Sequence, residues 1–138
     1  MTVLADIILA HRAREGCLLP ILHDVQAAFG HISEDAIREI AQALNLTRAE
    51  IHGVVSFYHD FRTELDARPT IKICRAEACK ARGVEALMPT VMGTAGERVR
   101  VETVYCLGLC SVGPAALVGD TVHARLSHET AAALMRAL

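Results

Sequence analysis

The 138-residue sequence has no tryptophan and only five aromatic rings, three Phe and two Tyr. Any core it builds must rest on Leu, Val, Ile and Ala. It also lacks a dominant charge. Fourteen Lys and Arg stand against sixteen Asp and Glu, a net −2 at pH 7. That removes the electrostatic footprint expected of a nucleic-acid binder or of a protein held to an anionic membrane. No apolar run approaches the ~20 residues that a membrane span needs, so no membrane insertion is expected. No basic residue precedes the first apolar stretch. Asp6 interrupts it, and Arg12 and Arg14 follow it. This is the reverse of a secretory signal, and the expected location is cytoplasmic. No Ser-His-Asp set, phosphate-cradling loop or paired-carboxylate signal stands out, and no C-x-x-C of the thiol-oxidoreductase type is present.

What the sequence does have is 52% apolar and 22% charged residues, the balance of a folded chain. A chain of this length buries about two-thirds of its unfolded surface. It also has five cysteines. In a reducing compartment structural disulfides are rare, so the cysteines point to metal binding or redox chemistry.

The two halves differ. Residues 1–69 carry 10 acidic and 6 basic residues, whereas residues 70–138 carry 6 acidic and 8 basic and all the cysteines but Cys17. The first half reads as helices. Leu18, Ile21, Leu22, Val25 and Phe29 recur at helical spacing, with Pro20 in the first turn and Gly30 as the stop. Ser33 is an expected N-cap for a stripe of Ile37, Ile40, Ala41 and Leu44. Thr47 and Glu50 have capping-box spacing before Ile51, Val54, Val55 and Tyr58. Leu4, Ile7 and Ile8 mark a weaker helix, and Asp60 to Pro69 reads as a polar connector.

The second half changes period. Ile71 and Ile73 alternate in a short strand over Thr70–Cys74. A helix is expected from about Cys79 through Val84, Leu87 and Met88, ended or kinked by Pro89. Gly93 to Gly96 reads as a loop. Arg98 to Val104 alternates again, and Gly119-Asp120 joins two strands of a hairpin. Ser127 should cap a last helix. The order is β-α-β-β-β-α, an α+β class.

Cys74 and Cys79 form C-x4-C, and Cys106 and Cys110 form C-x3-C. Each pair follows the end of an expected strand. If those strands are parallel, both ends lie on one edge of the sheet and the two loops can converge. Three readings fit four such thiols: an iron–sulfur centre with two thiolates on each iron, a four-cysteine zinc site, or redox thiols. The local composition favours the first. Arg75, Lys80 and Arg82 offer positive charge beside a negative cluster, and Gly108 and Gly113 let backbone N–H groups approach sulfur. Ser111 adds a hydroxyl. A Rieske arrangement is excluded by the complete four-cysteine set and by the absence of C-x-H spacing. Cys17 reads as a small buried hydrophobe, and His52 and His59 read as surface or partner-contact residues rather than ligands.

ICRAEACKARG (73–83) and VYCLGLCSVGPAALVGDTVHARL (104–126) resemble the cluster-binding segments of the thioredoxin-like [2Fe–2S] subunit family. That family includes the 24 kDa subunit of respiratory NADH:quinone oxidoreductase and the gamma subunit of soluble NAD-dependent formate dehydrogenases. LLPILHDVQAAFGHIS (18–33) and IHGVVSFYHDF (51–61) resemble its helical leader. The resemblance implies an N-terminal helical bundle over 1–69 and a thioredoxin-like ferredoxin domain over 70–138. It implies one [2Fe–2S] cluster held by Cys74, Cys79, Cys106 and Cys110. It also implies an FMN- and NADH-binding partner subunit.

The RAEAC wording (75–79) and the short chain lean towards the formate dehydrogenase branch. There a molybdenum- or tungsten-containing catalytic subunit completes the complex. The expected role is electron transfer with no substrate bound by this chain alone. The equivalent subunit of NADH:quinone oxidoreductase or of an NAD-reducing hydrogenase is the alternative within the class. A zinc-stabilised interaction module is the alternative outside it. A freely shuttling ferredoxin fits less well, because the apolar helical leader suggests a fixed interface.

Overall fold

The computed structural model describes residues 2–138 and contains two compact units, one ending at Ala67 and the other spanning Arg68–Leu138. The first unit is helical: α1 (Val3–His11), α2 (Leu18–Phe29), α3 (Glu34–Leu44) and α4 (Arg48–Phe57). Its helix ends follow from local chemistry. Gly30 closes α2 at φ +78°, in the left-handed region where glycine carries no Cβ penalty. Ser33 Oγ accepts from the Ala36 N–H at 3.1 Å. Thr47 and Glu50 form a complete capping box. The apolar stripes meet in a core of Ile8, Ile21, Leu22, Val25, Ile37, Ile40, Ile51 and Val55, with Phe61 added from beyond α4.

Two expected stripe members fall outside this core. Phe29, the last residue of α2, is 43% exposed, and Tyr58, just past α4, is 42% exposed. Both sit where the helix ends, so their spacing no longer commits them to the packed face. Cys17, expected as a small buried hydrophobe, is half-buried at the start of α2 and packs against this core.

The polar stretch after α4 has no regular structure, but it is anchored. The Gln26 side-chain amide donates to the Asp60 carbonyl at 2.5 Å and accepts from the Arg62 N–H at 2.7 Å. The Arg62 carbonyl accepts from the Ile32 N–H at 2.7 Å. Phe61 lies between these polar contacts and is buried.

The second unit is a four-stranded sheet with helices, in the order β1 (Thr70–Cys74), α5 (Glu77–Ala81), α6 (Val84–Ala95), β2 (Arg100–Val104), β3 (Ala116–Val118), β4 (Thr121–His123) and α7 (His128–Ala137). The spatial order is β2-β1-β3-β4. β1 and β2 are parallel, with Thr70 opposite Arg100 and Cys74 opposite Val104. β3 runs antiparallel to β1, and β4 antiparallel to β3, with Val118 facing Thr121 across the Gly119-Asp120 turn. Ile71, Ile73, Leu87, Val91, Ala95, Ala131 and Met135 form the core.

The crossover departs from expectation. It is two helices, not one, because Gly83 at φ +96° breaks the chain between α5 and α6. Pro89 does not end α6. The helix runs on through Gly93 to Ala95, and Gly96 ends it. Pro89 removes only the bond to the Glu85 carbonyl, and both residues are exposed to water that can replace it. The buried i, i+4 series Leu87, Val91, Ala95 outweighs the local cost of proline and glycine.

Thr47→Ala removes the hydroxyl half of the α4 capping box, while the N–H of residue 47 stays on Glu50, and should cost the helical unit about 1 kcal/mol, measured by urea unfolding at pH 7. The Thr47 N–H, followed by its hydroxyl, holds the Glu50 carboxyl below its ordinary value. That contribution is present above the carboxyl's unfolded pKa and is lost as pH falls through the lower folded one. The N–H part is common to both proteins, so the difference between wild type and variant should shrink on acidification only by the part that the Thr47 hydroxyl contributes.

Candidate metal centre

Parallel pairing places the C-terminal ends of β1 and β2 side by side, and all four cysteines lie at or just beyond those ends. Cys74 is the last residue of β1. Its N–H bonds the Ala115 carbonyl at 3.0 Å, and the next N–H, of Arg75, bonds the Val104 carbonyl at 2.9 Å. The strand end is thus tied on both sides. Cys79 lies in α5, one short turn later, and both cysteines are 2% exposed. Cys106 and Cys110 are exposed. The segment between them alternates: Leu107 and Leu109 pack against the core, while Cys106, Gly108 and Cys110 face outward. That alternation puts the two thiols on the same side, with their sulfurs 3.6 Å apart. Two sulfurs on one tetrahedral metal stand roughly 3.8 Å apart when each metal–sulfur bond is about 2.3 Å.

The sulfurs are surrounded by donors from the main chain. The Gly108 N–H donates to Cys106 Sγ at 3.3 Å. The N–H groups of Ala76, Cys106 and Leu107 are directed at the Cys74 sulfur, and the Ala115 N–H at Cys79. Burial pushes the Cys74 thiol up, but those three N–H groups and the Cys79 thiol outweigh it, so its pKa falls below the ordinary value. Cys79 is pushed up by burial, by its hydrogen bond to Cys74 and by the charges of Cys74 and Cys110. Cys110 is pushed up by its hydrogen bond to Cys106 and that neighbour's charge. These mutual effects are those of four thiols sharing one small region. Among the described residues no three His, Cys, Asp or Glu side chains are already gathered at single-ion distances, and the thiols stand as two pairs.

The other residues expected around the cluster take varied positions. Gly113 presses on Cys79: a Cβ there would stand 2.9 Å from Cys79 Sγ and 3.4 Å from Arg82 Cδ. Gly108 adopts φ +76° in open space. Ser111 is exposed in the 3-10 turn that Cys110 begins. Arg75 is engaged elsewhere, in a two-point ion pair with Glu85 of α6 at 2.9 and 2.7 Å. Arg82 Nε donates to the Cys110 carbonyl at 3.1 Å and ties α5 to the second thiol loop. Sequence reasoning missed Ala76, Leu107 and Ala115, since they act through N–H groups that no residue type announces. It also missed the backbone of Cys106, which takes φ +91°, a region that non-glycine residues rarely enter.

Four thiols at one sheet edge, backed by main-chain donors, have the chemistry that a thiolate-ligated metal needs. The sequence matches the family model of the thioredoxin-like [2Fe–2S] ferredoxin over residues 4–138. The chain belongs to that family, and its cofactor is one [2Fe–2S] cluster.

It is 31% identical over 122 residues to an NADH-quinone oxidoreductase subunit of Rhizobium meliloti (strain 1021), covering 82% of this chain and 73% of that protein. It is 26% identical over 123 residues to the NADP-reducing hydrogenase subunit HndA of Solidesulfovibrio fructosivorans, covering 83% of this chain and 72% of the relative. Among solved structures it superposes on a chain of an NAD+-reducing [NiFe]-hydrogenase with a TM-score of 0.73 and 28% identity. That match covers 86% of this chain and 22% of the hydrogenase chain, so the present sequence spans about a fifth of it. The expected thioredoxin-like fold class is thereby shown.

Gly113→Ala should displace Cys79 Sγ, because the added Cβ would stand 2.9 Å from a sulfur whose residue is only 2% exposed. Iron and sulfide content should fall while far-UV circular dichroism stays that of the wild type.

Proposed function

We propose that this chain is the electron-transfer subunit of an NAD(P)-linked oxidoreductase complex. Cys74, Cys79, Cys106 and Cys110 ligate its cluster, two thiolates to each iron. The region 70–138 is the cluster domain and 1–69 a helical partner region. The observation that carries this is the convergence of the four thiols at the shared end of β1 and β2. The bound cluster supplies one-electron oxidation and reduction. The chain's own residues set how readily that happens. The N–H groups of Gly108, Ala76, Leu107 and Ala115 favour negative charge on sulfur, which stabilises the reduced form. Gly108 and Gly113 allow that close approach. Arg75 neutralises Glu85 and fixes α6 against the end of β1, and Ser111 contributes polarity at the mouth of the second loop.

An FMN- and NADH-binding subunit is the partner this reading requires, since the relatives are subunits of NADH-quinone oxidoreductases and of NAD(P)-reducing hydrogenases. The aromatic residues support a fixed partner. Of five rings, Phe29, Phe57, Tyr58 and Tyr105 are exposed and only Phe61 is buried. A chain this poor in aromatics that spends them on its surface has the composition of an interface core. Within the class, the finer assignment is a gamma subunit of a cytoplasmic formate dehydrogenase with a molybdenum or tungsten catalytic subunit. It rests on the RAEAC wording at 75–79. No helix in the described residues is long and apolar enough to cross a membrane.

Anaerobically purified protein should contain about two iron and two sulfide per chain. It should be EPR-silent when oxidised and give a spin-half signal after dithionite. Cys106→Ser should abolish or shift that signal, and Cys17→Ala should leave it intact. One zinc without sulfide would overturn the reading in favour of a structural module. Affinity capture from the native host should bring down a flavoprotein, and NAD reduction by that complex should be driven by formate. Reduction driven by hydrogen alone would move the chain to the hydrogenase branch.

A further inference from the structure

The two thiol pairs differ in a way that cluster binding alone does not require. Cys74 and Cys79 are 2% exposed and rooted in a strand and a helix. Cys106 and Cys110 are exposed, on a segment that has only Leu107 and Leu109 in the core. Their sulfurs are 3.6 Å apart, already in contact, and a disulfide needs about 2.05 Å. Gly108 lies between them at φ +76°, with open space where a Cβ would stand. Closing the gap shifts the 106–110 segment against the Arg82 contact on the Cys110 carbonyl and leaves the β1–β2 pairing in place.

We propose that, in the cluster-free chain, Cys106 and Cys110 form a disulfide-forming site that a low-molecular-weight disulfide oxidises selectively, while Cys74 and Cys79 stay reduced. One of the two thiolates attacks a sulfur of the oxidant. A mixed disulfide forms and the first small thiol leaves. The second cysteine then attacks the protein sulfur of that mixed disulfide. The Cys106–Cys110 bond forms and the second small thiol leaves. Two electrons pass from the cysteines to the oxidant, and the two protons leave with the two small thiols. The bridge uses both sulfurs of the exposed pair, so it blocks cluster loading until a dithiol reverses the exchange. That consequence rests on the ligand assignment above, whereas the disulfide itself does not.

The test uses the full chain, stripped of iron with a chelator under reducing conditions and then exposed to oxidised glutathione. Trypsin leaves Cys106 and Cys110 in one peptide, 101–125, because no Lys or Arg lies between Arg100 and Arg125. Cys74 and Cys79 fall in separate peptides, 73–75 and 76–80. The expected result is a 101–125 peptide lighter by two hydrogens, with the other two thiols free to alkylation. Cluster uptake should be lost after oxidation and return with dithiothreitol, and Cys17→Ala should behave as wild type.

A 101–125 peptide cross-linked to 73–75 or 76–80, a persistent glutathione adduct on 101–125, or free thiols at both Cys106 and Cys110 would overturn the proposal. Any of these could coexist with normal cluster assembly in the reduced chain, so failure here is distinguishable from failure of the ligand assignment. An intact disulfide with cluster uptake unchanged would overturn the loading block.

Discussion

The site depends on the parallel pairing of β1 with β2. Because Cys74 stands opposite Val104 in that register, both strands run out of residues at the same level. Every later feature follows from this. The N–H of Arg75 can extend the ladder to Val104, the chain after β1 can turn into α5, and the chain after β2 can fold back over the same edge. An antiparallel pair would send the two cysteine segments to opposite ends of the sheet. A parallel pair needs a long connection, and α5 and α6 provide it while covering one face of the sheet with Leu87, Val91 and Ala95.

The chemistry at that edge is largely a main-chain matter. Few polar side chains approach the sulfurs. N–H groups do, and they do so because the chain after each strand end curls inward. Such donors are held by the backbone and cannot be titrated away, which suits a centre whose charge must change without its surroundings reorganising. The charged side chains serve the frame instead. Arg75 braces α6 through Glu85, and Arg82 braces the second loop through the Cys110 carbonyl.

Much of this was legible in the residues. Gly30, Ser33, the Thr47–Glu50 box and Ser127 mark helix ends by chemistry that acts within four residues, so no tertiary context was needed to read them. The strands at 70–74 and 100–104 and the hairpin at Gly119-Asp120 were visible in their alternation. The four-cysteine pattern pointed to one edge because its spacing follows strand ends. The crossover was misread where tertiary packing overrides local preference. Pro89 and Gly93 look like breakers, yet they lie in a helix whose buried face satisfies the core, and the true break falls at Gly83. The donors at Ala76, Leu107 and Ala115 were invisible because an N–H is common to nearly every residue. Phe29 and Tyr58 kept helical spacing up to the point where the helix stopped.

Gln26 shows how a single side chain can substitute for a piece of sheet. It gives a hydrogen bond to residue 60 and takes one from residue 62, the exchange that a neighbouring strand would make with an extended segment. Only an amide has a donor and an acceptor at that spacing. A glutamate could take but not give, a lysine could give but not take, and a methionine would fill the volume and do neither. The path by which the chain leaves the helices is therefore written in one functional group rather than in a repeating ladder. Two atoms of the same side chain, the amide nitrogen and oxygen, set where residue 61 enters the core and in which direction the backbone continues.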